Sequence, residues 1–368
     1  MLLTPGPTPV PEFVRKAMAD ITIHHRTEEF EAIFKNTREL LIEIYDMPEV
    51  VMLASSGTGA MEACVTNLTH KKALTINSGK FGERFGKICA AFGIDYTEIK
   101  NEWNTPVSVE AVVEAIKADS SIDAVFIQIC ESAGGLRHPV EQIAAEIKKI
   151  NKDITIVADG ITAIGVEKID TTNLDAVVTG SQKALMLPPG LAMIGFSNAA
   201  VAKIESKPRG YYFNLAIEIK TQRKNTTAWT AATTLIIGLG AILEKLKADG
   251  FDNLYKQTAL RANATREALK AIRFDIYPKT PANAMTTVYT EQSSAIRKIL
   301  ENKYNVNIAG GQDHLAGKIF RINHMGLVED YEASWAVNAV ELALDDLGIR
   351  TFDGTANKVF ASNMFKGN

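Results

Sequence analysis

A chain of 368 residues, 46% apolar and 23% charged, is long enough to bury a large core and exceeds the usual span of one domain, so two domains are expected. A formal net charge of −3 leaves no basic footprint for nucleic acid or for an anionic membrane surface. The three cysteines, Cys64, Cys89 and Cys130, stand far apart without a C-x-x-C pair, which argues against a disulfide framework or a thiolate metal site and for a reducing, cytoplasmic setting.

The opening MLLTPGPTPVPEF places prolines where a signal peptide needs its apolar core, and no later apolar run reaches membrane-spanning length, so a soluble protein is expected. Of the histidines only His24 and His25 lie close together, and neighbours in sequence do not share a helix face as ligands at i and i+4 do; no metal is expected.

From residue 50 to 200, short apolar runs ending in small residues alternate with amphipathic stretches, the βαβ pattern of a mostly parallel sheet. The strands read in order are VVMLAS (50–55), ALTINS (73–78), DAVFIQI (123–129), ITIVAD (154–159), AVVTGS (176–181) and AMIGFS (192–197). SVEAVVEAIKAD (108–119) and VEQIAAEIKKIN (140–151) carry apolar residues at helical spacing and charges opposite, as covering helices do. After residue 230 the character changes. A long apolar helix (233–250) precedes a charged amphipathic one (253–272), and strand-like AMTTVYT (284–290) and KIFRIN (318–323) mix with helical 331–348. The chain therefore divides into 1–250, an α/β unit, and 251–368, a smaller α+β unit.

In an open α/β sheet, ligands gather beyond the carboxyl ends of the strands. Three such ends carry chemistry. Ser55-Ser56-Gly57-Thr58-Gly59 leads from a strand into a helix, where glycines and the helix N-terminus make an anion cradle; a plain tight turn explains it equally well when taken alone. It is neither a dinucleotide fingerprint, since Glu62 stands where a third glycine or alanine is required, nor a P-loop, since no lysine follows. Asp159 ends ITIVAD, where a carboxylate can pair with a protonated ring nitrogen or simply cap a helix. Lys183 follows AVVTGS among Ser, Gln, Ala, Leu and Met, a setting that suits a shielded neutral amine, although a lysine taken singly more often serves as a solvated charge. Together, a phosphate cradle, an acidic ring partner and a shielded lysine are the parts that pyridoxal phosphate requires.

On these residues, and above all on G-S-Q-K-A-L followed by P-P-G, the chain resembles the class V aminotransferases of fold-type I, in the group of alanine–glyoxylate and serine–pyruvate aminotransferases. The resemblance runs from TPGPTPVP to KIFRINHMG. It implies a large domain with a mostly parallel seven-stranded sheet and a smaller C-terminal α+β domain. It also implies pyridoxal 5'-phosphate held as a Schiff base on Lys183, with Asp159 on the pyridine nitrogen. Ser56, Gly57 and Thr58 match the phosphate loop, Phe81 the aromatic that stacks on the ring, and Gln182 a polar cofactor contact. In TTAWTAAT, Thr227 and Thr230 match positions that reach the phosphate from a second subunit, which implies a homodimer with shared active sites. Arg321 matches the arginine for the substrate carboxylate, and the opening Thr4-Pro5-Gly6-Pro7-Thr8 matches a segment lying over the site, with Gly6 a substrate contact. Two departures stand out: Glu131-Ser132-Ala133-Gly134-Gly135 lacks a further hydroxyl before its glycines, and TAW lacks the proline common before the threonine that reaches the phosphate, which favours Thr230 over Thr227.

The activity implied is ping-pong transfer of an amino group from alanine or serine to glyoxylate or pyruvate. An aminophosphonate is the alternative donor, since a guanidinium holds a phosphonate as readily. A cysteine desulfurase is disfavoured because no cysteine lies beyond Cys130, and a non-catalytic binding protein that keeps the fold is the alternative of a different class.

Overall fold

The computed structural model describes residues 1–366 of the protein, so the last two residues of the expected 251–368 segment lie outside it. Its strands are β1 (Glu49–Leu53), β2 (Lys72–Asn77), β3 (Tyr96–Lys100), β4 (Ile122–Gln128), β5 (Cys130–Glu131), β6 (Leu136–Arg137), β7 (Thr155–Asp159), β8 (Ala176–Gly180), β9 (Ala192–Phe196), β10 (Asp275–Ile276), β11 (Met285–Tyr289), β12 (Ala309–Gly310) and β13 (Ile319–Asn323).

Seven of them form one sheet in the order β1-β9-β8-β7-β4-β2-β3. The pairs from β8 through β3 are parallel, whereas β9 runs antiparallel to both β8 and β1. Every residue of β1, β7, β8 and β9 is buried, which is what continuous apolar runs produce when helices cover both faces of a sheet. Alternate residues serve opposite faces. Val50, Met52, Ile156, Ala158 and Val177 pack in one core layer with Leu41 and Leu239, while Val51, Leu53, Val157, Ala176 and Val178 pack in the other with Cys64 and Phe85. The six strands expected from apolar runs are all present. The seventh, β3, alternates exposed and half-buried residues at the sheet edge, so no apolar run announces it.

Residues after 250 build a second sheet, β10-β11-β13-β12, with all pairs antiparallel. Its core joins Val288, Phe320 and Ile322 to Ala264, Leu300, Val340 and Phe360 of the surrounding helices. Leu3 belongs to the same core, and Leu3 N–H donates to Asn307 O at 2.8 Å while Asn323 N–H donates to Leu3 O at 2.9 Å. The N-terminus is thereby anchored on the second sheet before it crosses to the first. Among the described residues, no helix is long and apolar enough to cross a membrane.

Candidate active site

The carboxyl ends of β1, β4, β7 and β8 open on one cavity of about 160 Å³. Its wall includes Ser56, Gly57, Thr58, Phe81, Asp159, Gln182 and Lys183, so seven residues proposed from sequence share one site.

Ser56 precedes the helix Gly57–Leu68 with extended backbone, yet its side chain makes no capping hydrogen bond. Ser108 and Ser197, in the same position before their own helices, do accept from Ala111 N–H and Ala200 N–H. Gly59 N–H, the counterpart of those two donors, turns to Ser56 O at 2.9 Å, which leaves Gly57 and Thr58 N–H for an outside acceptor, with the positive end of the helix dipole behind them. A Cβ at 57 would stand 2.5 Å from Ile161 Cδ1, so a larger residue there would push the end of a side chain that itself lines the cavity.

Phe81 lies in the first turn of the helix Lys80–Ala91 and is half-buried on the cavity wall. Three residues on, Arg84 lies on the same helix face, with its guanidinium carbon 4.7 Å from the Phe81 ring centroid. Its Nη1 donates to Thr58 Oγ1 at 2.7 Å, which brings a cation to the open helix end. The sequence reading missed this residue; its signal was the spacing from Phe81 once the helix start is known.

Asp159, 4% exposed, accepts from Ile161 N–H at 2.9 Å. Burial raises its carboxyl to about 6, against the opposing pull of that N–H and of the Arg84 and Lys183 charges. The Lys183 amine is brought down to about 8, chiefly by burial and then by the positive charge of Arg321. About a tenth of it is thus the neutral nucleophile at pH 7, against well under a thousandth for an ordinary lysine. Its Nζ donates to the carbonyl of Pro5. Gln182 Oε1 is buried without a hydrogen-bond partner in the protein.

Arg321 stands on β13, one step behind the cavity wall. Its Nη1 donates to Ser132 O at 2.6 Å, and its Nη2 and Nε donate to Gly310 O at 2.6 and 3.1 Å. A guanidinium has five N–H donors, so two remain, one on each terminal nitrogen. Burial lowers it to about 10, which still leaves it charged. Gly6 lies directly against the lysine: a Cβ there would stand 2.7 Å from Lys183 Cδ and Nζ. Glu131 is a second residue missed from sequence as part of the site; fully buried between Asp159 and Arg321, its carboxyl is raised to about 7 by burial. The only hint was a carboxylate placed directly after the apolar run FIQIC.

Thr227 and Thr230 do not join this cavity within one chain. They line a separate pocket with Tyr212, Trp229 and Glu218, where Thr227 is buried with its hydroxyl donating to Trp229 O at 2.5 Å, and Thr230 is exposed.

These groups fit pyridoxal phosphate. An uncapped helix end with Arg84 beside it suits a phosphate dianion, a buried acid faces the place of a ring nitrogen, an orphaned amide oxygen awaits a donor, and a shielded amine is available for covalent attachment. A buried lysine opposite such an acid, at the strand ends of this sheet, defines a pyridoxal-phosphate enzyme of fold-type I. Its overall shape agrees: an aspartate aminotransferase of subgroup IV from Thermus thermophilus superposes with a TM-score of 0.88 at 29% identity, over 94% of this chain and 99% of that one. Residues 2–326 match the aminotransferase class-V family, and the chain belongs to it. Among its relatives, an uncharacterized aminotransferase of Helicobacter pylori strain 26695 is 45% identical over 366 residues, 99% of both chains. The serine–glyoxylate aminotransferase of Hyphomicrobium methylovorum is 30% identical, over 99% of this chain and 95% of that protein.

Proposed function

We propose that this aminotransferase moves the amino group of a small amino acid, alanine or serine, to glyoxylate or pyruvate, by a ping-pong mechanism in a homodimer. One observation carries the reading of the substrate: Arg321 keeps two N–H donors in hand after its backbone anchors are satisfied, enough for one bidentate carboxylate. Of the other arginines, Arg297 lies close enough for its charge to act on Arg321 but turns its Nε to Ile308 O, and the four that the sequence left unplaced are engaged or exposed. Arg137 is paired with Glu141 and Glu167, Arg223 with Glu49 and Glu205, Arg209 bonds Thr69 O, and Arg26 is exposed. Arg84 lines the cavity but is turned to Thr58. The serine–glyoxylate activity named for one relative supports the same choice.

Pyridoxal phosphate, when bound, supplies an electrophilic carbon and an electron-accepting ring. Ser56, Gly57 and Thr58 hold its phosphate, with Arg84 adding charge; Phe81 covers the ring face and Gln182 takes a polar contact. Asp159 holds a proton on the ring nitrogen. Arg321 binds and orients the donor carboxylate. Lys183, as a neutral amine, would take the proton from the substrate α-carbon and hand it on within the site. Donor and acceptor use Arg321 in turn, and because the amino group stays with the enzyme between the two half-reactions the kinetics are ping-pong. Thr230, and with it the Thr227 loop, reaches the phosphate from the partner subunit.

Borohydride reduction of the yellow holoenzyme, followed by peptide mapping, is expected to label the peptide containing Lys183. Donor profiling against glyoxylate and pyruvate should then rank alanine or serine above aspartate and 2-aminoethylphosphonate. A preference for either of the latter would overturn the substrate reading while leaving the transaminase intact.

A further inference from the structure

Glu131 ends β5 with a carboxylate that is wholly buried. Its Oε2 accepts from Phe81 N–H at 3.0 Å and Gly82 N–H at 2.8 Å, in the first turn of the helix Lys80–Ala91, and its Oε1 accepts from Ala133 N–H at 2.9 Å. The first two donors are ones that a helix leaves unpaired at its start, and that helix has no side-chain cap of its own. A carboxylate from a different strand therefore does the capping. Gly79 admits it, for a Cβ at that position would stand 2.4 Å from Glu131 Cδ and Cγ.

The two oxygens of this carboxylate are tied to two different parts of the site. Phe81, whose N–H it fixes, lies on the cavity wall. The turn it ties through Ala133 contains Ser132, whose carbonyl anchors Arg321 Nη1. Charge links the same groups, since Glu131 feels the charge of Asp159 and itself acts on Arg321.

We propose that Glu131 is a positioning residue that couples the two halves of the site, setting the ring-facing Phe81 and the Arg321 anchor with one side chain. The proposal rests on the reading of Phe81 as ring neighbour and Arg321 as carboxylate anchor.

Glu131→Gln tests it, because an amide has one acceptor oxygen for two sets of donors and leaves one set unpaired. The holoenzyme variant is expected to retain pyridoxal phosphate about tenfold less tightly, read by loss of visible absorbance on dialysis, and to show KM for alanine raised about tenfold with kcat changed less. In the apoprotein, amide hydrogen exchange should accelerate together in peptides spanning residues 79–85 and 130–136, and not in residues 330–346. Should this variant fail to fold, Gly79→Ala displaces the same carboxylate without removing it and is expected to give the same paired effect. A change on the cofactor side with KM unaltered, a raised KM with cofactor retention unaltered, or exchange that accelerates in only one segment would overturn the coupling. Arg321→Lys and Phe81→Leu, made in parallel, test the underlying reading separately. If Arg321→Lys leaves KM unchanged, the role of Arg321 fails on its own, and the exchange data still decide whether Glu131 ties the two segments.

Discussion

The hydroxyl of Thr8 donates to the carbonyl of Lys183 at 2.7 Å, across 175 positions of sequence. Thr8 N–H also donates to Gln182 O at 3.1 Å, and Lys183 Nζ donates to Pro5 O. The N-terminal segment thus grips the lysine at both ends, its backbone through Thr8 and its amine through Pro5. Because the same segment is anchored on the second sheet through Leu3, the position of Lys183 depends on a strap that joins the two sheets.

Gly6, at the middle of that strap, has φ +97° and no room for a Cβ beside Lys183. Gly6→Ala is expected to cost about 1–3 kcal/mol in a urea melt through the left-handed backbone alone. The displaced amine should also take up pyridoxal phosphate more slowly, as followed by absorbance. Lowered stability with an unchanged uptake rate would mean that Gly6 serves the backbone and not the lysine.

The depressed amine of Lys183 makes a pH prediction. Its neutral form is the nucleophile, so the rate of cofactor capture by apoprotein should rise with pH and level off above about 8 rather than in the ordinary lysine range. Arg321→Gln removes a positive neighbour and should move the inflection upward. Stability follows the same group: between about 8 and 10.5 the unfolded chain holds a proton that the folded chain has lost, so the contribution of Lys183 to stability rises with pH over that window. An inflection that stays in place in Arg321→Gln would rule out the charge of Arg321 as a cause.

What could be read from sequence and what could not divides along physical lines. Asp159, Lys183 and the Ser56–Thr58 turn sit where apolar runs end abruptly, and a strand end fixes the direction of the residues beyond it. Gln182 shares the strand end of Lys183, but its role, like those of Phe81 and Arg321, was placed by resemblance alone. Arg84 lies in KFGERFGK, which has the composition of a solvated helix face; only its distance from a helix start at Lys80 turns it inward. Glu131 acts through a contact with a helix that begins some 50 positions earlier in sequence, a pairing that no periodicity encodes.

Asp159→Asn should separate stability from activity. The folded carboxyl, at about 6, lies above its ordinary 3.8, so the folded apoprotein binds the extra proton and stability falls as pH rises through that interval. At neutral pH the buried charge is a standing cost, and Asn, which can still accept from Ile161 N–H, removes it. The apoprotein variant is therefore expected to gain up to about 2–3 kcal/mol at pH 7, with the gain vanishing as pH falls toward 4, measured by urea melts across pH. The holoenzyme variant should lose roughly 10²–10⁴-fold in kcat, because nothing then holds the ring proton. Equal stabilities of the two apoproteins at pH 7 would show that Asp159 is not paying for its burial.

The proposed sharing of the site between subunits is open to a direct test through Thr230. Thr227 spends its hydroxyl on Trp229 O and is buried, so it shapes the loop, whereas the exposed Thr230 is the one placed to donate outward. Thr230→Ala is expected to retain pyridoxal phosphate about tenfold less tightly than the parent. At a cofactor concentration too low to fill that variant, Lys183→Ala and Thr230→Ala subunits are each inactive. Unfolded together and reassembled in equal amounts, they form hybrids in which one site carries both lesions and the other carries neither. With half the dimers hybrid, about a quarter of the parent activity should return. If Thr230 instead served the site of its own chain, every site in every hybrid would carry a lesion, and mixing would restore nothing.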